Sequence, residues 1–211
     1  MKKNMIFCIL TLVICSCEIN LDDDIKYYRF SKNDYKFIPT VYQDIDRIIT
    51  FKNQQSEEVK IEVKGYNKNK KSNGGWNWAG GASTDLYYTD QIIIWLDLMD
   101  VNFPEIGDGY CDQIHITIEK RSDGTTETIL KIPSYSNYCS RISLPSLSPY
   151  IELQSMSIGN VSYDSVKVFE TEENFLFYDE STIDKIYYDF NQGIIGFDDT
   201  ENNIQYRIVN E

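Results

Sequence analysis

The chain of 211 residues carries 33 acidic and 20 basic side chains, one histidine and a formal charge of −13, with sixteen tyrosines among its apolar and aromatic residues. A chain of this length can bury a full core, as one domain or two small ones. The acidity weighs against nucleic acid, whose phosphates need Lys and Arg, and against docking on anionic lipid through charge.

Residues 1–16 hold Lys2 and Lys3, an apolar run over 5–14 broken only by Thr11, and Ser16 directly before Cys17. That order reads as a secretion signal. The apolar run is roughly half the length a helix needs to cross a bilayer, so a permanent span is not expected. Ile14-Cys15-Ser16-Cys17 resembles the lipobox of bacterial lipoproteins, with an aliphatic residue first, a small residue before the cut and a thiol after it. The resemblance implies that Cys17 takes a diacylglycerol, becomes the new N-terminus and holds the protein to a membrane, each buried methylene contributing about 0.8 kcal/mol. Cys15 is the poorer candidate because bulky Ile14 would occupy its cleavage position. The alternative is a plain secreted chain cut near Ser16.

Glu18-Ile19-Asn20-Leu21-Asp22-Asp23-Asp24 follows. An acidic cluster just past the lipidated cysteine is similar to the signal that sends Bacteroidota lipoproteins to the outer face of the outer membrane. Its other reading is a solvated acidic tether over residues 17–26, ahead of a β-rich domain over 27–211.

The domain reads as strand after strand. Residues 27–42 form an aromatic-rich stretch expected to be extended. Residues 47–52 and the alternating 59–64 are expected to pair as a hairpin across the polar 53–58. Residues 65–85 read as an interruption: lysine- and asparagine-rich to Asn73, then Gly74-Gly75-Trp76-Asn77-Trp78-Ala79-Gly80-Gly81. Glycines around Trp76 and Trp78 suit a sharp loop that carries flat rings able to stack on a sugar or peptide, or else to plug the end of a sheet. It lacks the Gly-Lys-Ser/Thr ending of a phosphate loop.

Residues 86–98 turn continuously apolar in their second half, as a central strand covered on both faces would. Asp100, Asn102, Glu105 and Asp108 then lie beside Gly107 and Gly109 but not at EF-hand spacing, so a solvated acidic turn and no metal site are expected, with calcium binding as the alternative. Residues 111–121 and 125–132 form a predicted hairpin about Asp123-Gly124, with Ile114, Ile116 and Ile118 on one face and His115 on the other. With one histidine, neither a histidine-based zinc site nor a histidine-dependent triad has its parts. This hairpin places Cys111 opposite about position 136, within reach of Cys139. The two either form a disulfide, adding roughly 3–4 kcal/mol, or remain separate thiols.

Residues 133–150, with three prolines and six serines, form a candidate sub-boundary or a long crossover. Strands are expected at 150–158 and 161–170, then, after a polar bend, at 174–179, with a closing three-stranded meander over 183–190, 194–198 and 204–209. Within it, Tyr187-Tyr188-Asp189-Phe190-Asn191-Gln192-Gly193-Ile194-Ile195-Gly196-Phe197-Asp198 resembles the closing pattern of small Bacteroidota lipoproteins, and Ile48-Ile49-Thr50-Phe51-Lys52-Asn53 is a weaker echo. The resemblance implies the lineage and the meander and supplies no activity.

No apolar stripe of helical spacing runs beyond two turns outside the signal. The expected mature protein is therefore all-β, an antiparallel sandwich or packed meanders of about ten strands. Its expected function is that of a lipid-anchored outer-membrane protein facing the cell exterior, a non-enzymatic module that binds glycan, peptide or protein, with no cofactor. The alternatives are a structural lipoprotein that meets an envelope partner through strand edges, and a hydrolase using two carboxylates.

Overall fold

The computed structural model describes residues 25–75, 84–99, 113–133, 141–143, 153–178 and 181–209. They are all-β, with twelve strands and two short 3-10 turns: β1 (Lys26–Tyr28), β2 (Ile48–Lys52), β3 (Glu58–Gly75), β4 (Thr84–Met99), β5 (Gln113–Lys120), β6 (Thr126–Pro133), β7 (Arg141–Ser143), β8 (Gln154–Ile158), β9 (Val161–Tyr178), β10 (Ser181–Asp189), β11 (Gly193–Asp199) and β12 (Ile204–Ile208).

The strands form one sheet in the order β7-β6-β5-β4-β3-β2-β12-β11-β10-β9-β8, with β1 added in parallel beside β4. The chain therefore makes two up-and-down meanders, β2 to β7 and β8 to β12, zipped together where β2 meets β12. Laid flat at roughly 4.8 Å per strand, the edge strands β7 and β8 would stand about 48 Å apart. The ten peptide links from Ser143 to Leu153 reach at most roughly 35 Å. The sheet must curve, and Cα atoms of β6 and β9 do approach within 8 Å. One face becomes the inside of the curve and holds the main core.

Alternation fixes that face. Ile92, Ile94, Leu96 and Leu98 of β4 are buried beside Ile114, Ile116 and Ile118 of β5, with His115 on the opposite face as expected. Two bulges keep the inner face apolar across irregular stretches. In β3 the register shifts after Val63, so Val63 and Tyr66 face the same way. In β11 the shift lets Ile194 and Phe197 both join the core, while Ile195 joins a smaller cluster on the other face with Ile158, Tyr163 and Val166.

Three local expectations need correction. Residues 65–75 do not interrupt the sheet; they continue β3. The polar bend near residue 172 does not end its strand, because β9 runs to Tyr178 and takes up the extra residues as a register shift between Glu170 and Phe175. Residues 27–42 are extended only in β1, then turn through 3-10 turns at Tyr35–Phe37 and Thr40–Gln43 and cross the inner face as a strap, burying Phe30, Ile38 and Tyr42.

The seam between the meanders is short: Arg207 pairs with Lys52, Ile208 with Phe51, and the Val209 amide donates to the Thr50 carbonyl at 2.8 Å. Side chains extend it. Phe51 packs on Phe197 with ring centroids 4.9 Å apart, and the Gln54 amide group donates to Asn203 O and accepts from the Gln205 amide. Where β12 ends, the Tyr42 hydroxyl accepts the Ile194 amide at 2.8 Å, filling the place of a longer strand.

The closing pattern 187–198 thus has local physical reasons. Asp189 accepts from the Asn191 and Gln192 amides and sets the turn, and Gly193, at φ 80°, leaves room for the Tyr42 hydroxyl that a methyl group would overlap. A Cβ on Gly196 would meet the Tyr206 carbonyl at 2.8 Å, beside the Arg207 stem. Asp198 holds the Arg207 guanidinium at 2.5 Å and the Tyr187 hydroxyl at 2.6 Å.

Tyr42 and Tyr188 are both fully buried, but among the described residues the Tyr188 hydroxyl has no hydrogen-bond partner. The same chemical change at the two positions is therefore expected to diverge. Tyr42→Phe strands the Ile194 amide and costs about 1–3 kcal/mol, whereas Tyr188→Phe removes an uncompensated polar atom and is neutral or stabilising. Denaturant unfolding of the two variants checks this.

Candidate ligand-binding surface on the long hairpin

β3 and β4 pair from Lys60 opposite Met99 to Gly75 opposite Thr84, and this hairpin outruns its neighbours. β2 accompanies β3 only to Glu62, and β5 ends at Lys120, level with Asp90. Beyond those points the hairpin is an arm. β1 takes the place β5 vacates, with Lys26, Tyr27 and Tyr28 beside Tyr87, Tyr88 and Thr89.

Alternation divides the arm into two faces. On the outer face the Lys71 ammonium meets Glu119 at 2.6 Å, Asn73 bonds to Thr89, and the Tyr28 and Tyr87 rings meet edge to face at 5.7 Å. Further along that face Trp95 lies against Gly65: a Cβ there would stand 2.6 Å from the indole, so the glycine makes room for the ring. His115 flanks Trp95 at 6.2 Å between centroids.

The inner face changes character where the core ends. Past Tyr66 it presents Lys68 and Lys70, opposite Ile92 and Asp90. The Lys70 ammonium sits 3.6 Å above the Tyr88 ring and 5.1 Å from that of Tyr27, whose other neighbour is the Arg29 guanidinium at 4.6 Å. Lys68 lies 5.1 Å from the Tyr35 ring and donates to its hydroxyl at 2.6 Å, a bond that raises the lysine pKa and keeps it charged. Tyr35 is 47% exposed. The result is a continuous strip of alternating tyrosines and cations. Lysines also suit the unpaired edge of β3, where they discourage strand addition.

Two buried carboxylates fasten the strap that completes the strip. Asp90 accepts the Tyr27 hydroxyl at 2.6 Å and the Phe30 amide at 2.8 Å, which raises the Tyr27 pKa. Asp34 accepts the Ser31 amide and hydroxyl, the Thr126 hydroxyl and the Lys120 ammonium at 2.9 Å. Burial pushes the Asp34 carboxyl up, but these donors outweigh it and hold it at about 2.

Cys17, Trp76, Trp78, Cys111 and Cys139 lie outside the described residues, as do residues 100–110, where an acidic turn is expected. In sequence Trp76 and Trp78 follow the end of β3 at Gly75 and precede the start of β4 at Thr84. Sequence reasoning missed Lys68, Lys70, Tyr27 and Tyr88. The available signal was charge: residues 64–71 hold four lysines and no acid in a chain of net −13. Among the described residues no group of three or more His, Cys, Asp or Glu is placed to hold a metal. The buried Asp34, Asp90, Asp189, Asp198 and Asp199 all serve as acceptors that tie down turns, the strap or Arg207. A groove of about 880 Å³ beside the seam, lined by Arg47, Ile48, Thr50, Gln192 and Val209 among others, lies where β12, offset in register, pairs with Phe51 and Lys52 of β2 and not with Ile48 or Ile49.

The Asp34 pKa lies below its ordinary 3.8, so its contribution to stability is complete above that pH and is lost as pH falls through about 2. Asp34→Ala leaves Lys120 buried without its partner and is expected to cost about 3–5 kcal/mol at neutral pH. Unfolding measured down an acid series should show the gap between parent and variant closing between about pH 4 and 2; a gap constant with pH would contradict the pairing.

Comparisons with family models, with curated proteins and with solved structures find no match for this chain.

Proposed function

We propose that this chain is a lipid-anchored protein of the cell envelope, held at Cys17 and facing the cell exterior, whose β domain is a non-enzymatic binding module for a glycan, peptide or protein. The observation that carries the binding role is the β3–β4 arm. It extends past the described strands beside it, is braced by β1, bears tyrosines and cations along its inner face and leads in sequence to Trp76 and Trp78. Rings of this kind stack on sugars and anchor protein interfaces. The address rests on the lysines and apolar run ahead of Cys17 and the acidic residues after it.

A second reading has its own observation. Among the described residues no strand pairs with β3 beyond Glu62 on the side of β2, and that open edge offers a place for a protein partner to add as a strand, one whose acidic side chains would have to meet the lysines that otherwise guard it.

Trp76→Ala combined with Trp78→Ala is expected to abolish binding on glycan and peptide arrays while leaving the fold intact by circular dichroism. Binding that survives the double change would remove the loop from the site. Protease treatment of intact cells, with Cys17→Ala as control, should remove the anchored domain; protection until lysis would place it on the periplasmic side.

A further inference from the structure

The chain is strongly acidic overall, yet its charge is unevenly spread. Lys26, Arg29, Lys32 and Lys36 precede or lie in the strap with only Asp34 among them, and Lys64, Lys68, Lys70 and Lys71 lie on β3 with no acid among them. Most local carboxylates are already engaged: Asp34 by Lys120, Glu119 by Lys71, and both oxygens of Asp90 by Tyr27 and Phe30. Among the described residues no carboxylate forms a salt bridge with Arg29, Lys68 or Lys70. Their neighbours are the rings of Tyr27, Tyr35, Tyr88 and Phe30.

Deepening the binding role above and resting on it, we infer that the inner face of the arm takes an acidic polysaccharide, with Lys68, Lys70 and Arg29 pairing to its carboxylate or sulfate groups and the tyrosines meeting its sugar rings and hydroxyls. A ring beneath an ammonium holds it in place, so less side-chain freedom is lost when an anion arrives. Interleaved rings and cations fit a chain in which charged groups alternate with apolar sugar faces and hydroxyls. Duplex DNA presents a charge every ~1.7 Å and would meet the acidic remainder of the protein along with the strip. A flat anionic bilayer would meet that acidic surface too. At physiological ionic strength the distant acidic residues are screened over about 8 Å, and the local cations govern a ligand confined to the strip.

Dextran, carboxymethyl-dextran and dextran sulfate share one backbone and separate the charge from the sugar. With the purified full chain, the two acidic polymers should bind and weaken as salt rises, and dextran should bind at least about tenfold less tightly. Whichever acidic polymer binds better identifies carboxylate or sulfate as the preferred group. Lys70→Gln alone, and Arg29→Gln with Lys68→Gln and Lys70→Gln together, should each reduce binding, by about tenfold or more per cation removed. Lys60→Gln, on the same strand outside the strip, should leave it unchanged. Circular dichroism confirms folding, and the single variant keeps the test valid should the triple variant unfold. Equal binding of neutral dextran, acidic binding unmoved by Lys70→Gln, or stronger binding of duplex DNA or phosphatidylglycerol vesicles would overturn the inference. If neutral glycans bind and the tryptophan pair alone abolishes it, the module remains a glycan binder and only the acidic specificity fails. If no glycan of either kind binds, the inference fails and the glycan form of the broader role fails with it.

Discussion

The sheet depends on the junction of β2 with β12. Without it the chain would be two meanders, each with an open edge and an apolar face. Among the described residues two residue pairs and one further amide bond form the ladder there. The burden falls on side chains that span the same gap: Phe51 against Phe197, Gln54 at the turn between β11 and β12, and Tyr42 reaching from the strap to Ile194. Because β2 and β12 are also neighbours of β3 and β11, the curvature that lets the main core close inside one continuous sheet follows from this junction.

The strap and the arm follow from the same arrangement. A strap that must reach Ile194 has to cross the inner face. On its way it buries Phe30 and Ile38 and ties Asp34 to Lys120 on β5 and Thr126 on β6. Its start, β1, lies along the arm where β5 has ended, so Tyr27 and Arg29 come to stand beside Lys70 and Tyr88. The proposed binding strip is thus assembled from segments about sixty residues apart in sequence, joined directly by the buried carboxylate of Asp90, with Asp34 fastening the rest of the strap.

What was legible in the sequence tracks how unequal the two faces of each strand are. β5 alternates sharply because Ile114, Ile116 and Ile118 are buried while His115, Thr117 and Glu119 are only partly covered. The meander over β10 to β12 was legible from its turns, set by Asp189 and Asp199. The end of β3 was not, because both faces of residues 67–73 are polar and the period of two has no contrast to show. The seam was hidden for another reason. It joins Phe51 to Ile208, and no local pattern reports a partner so distant in the chain. Gly193 was visible as part of a turn, but its reason, the Tyr42 hydroxyl, lies on the strap. The lysines of the strip were read as loop composition, since only the fold brings tyrosines beneath them.

The dependence of the whole sheet on its seam is tested most directly by native-state hydrogen exchange followed by mass spectrometry. If the junction makes one cooperative unit, amides of β4 and β5 and amides of β10 and β11 open with the same free energy. Both sets should lose protection together in a chain carrying Tyr42→Phe. Two classes, with one meander keeping full protection while the other exchanges, would show that the halves fold separately and that the seam only brings them into contact.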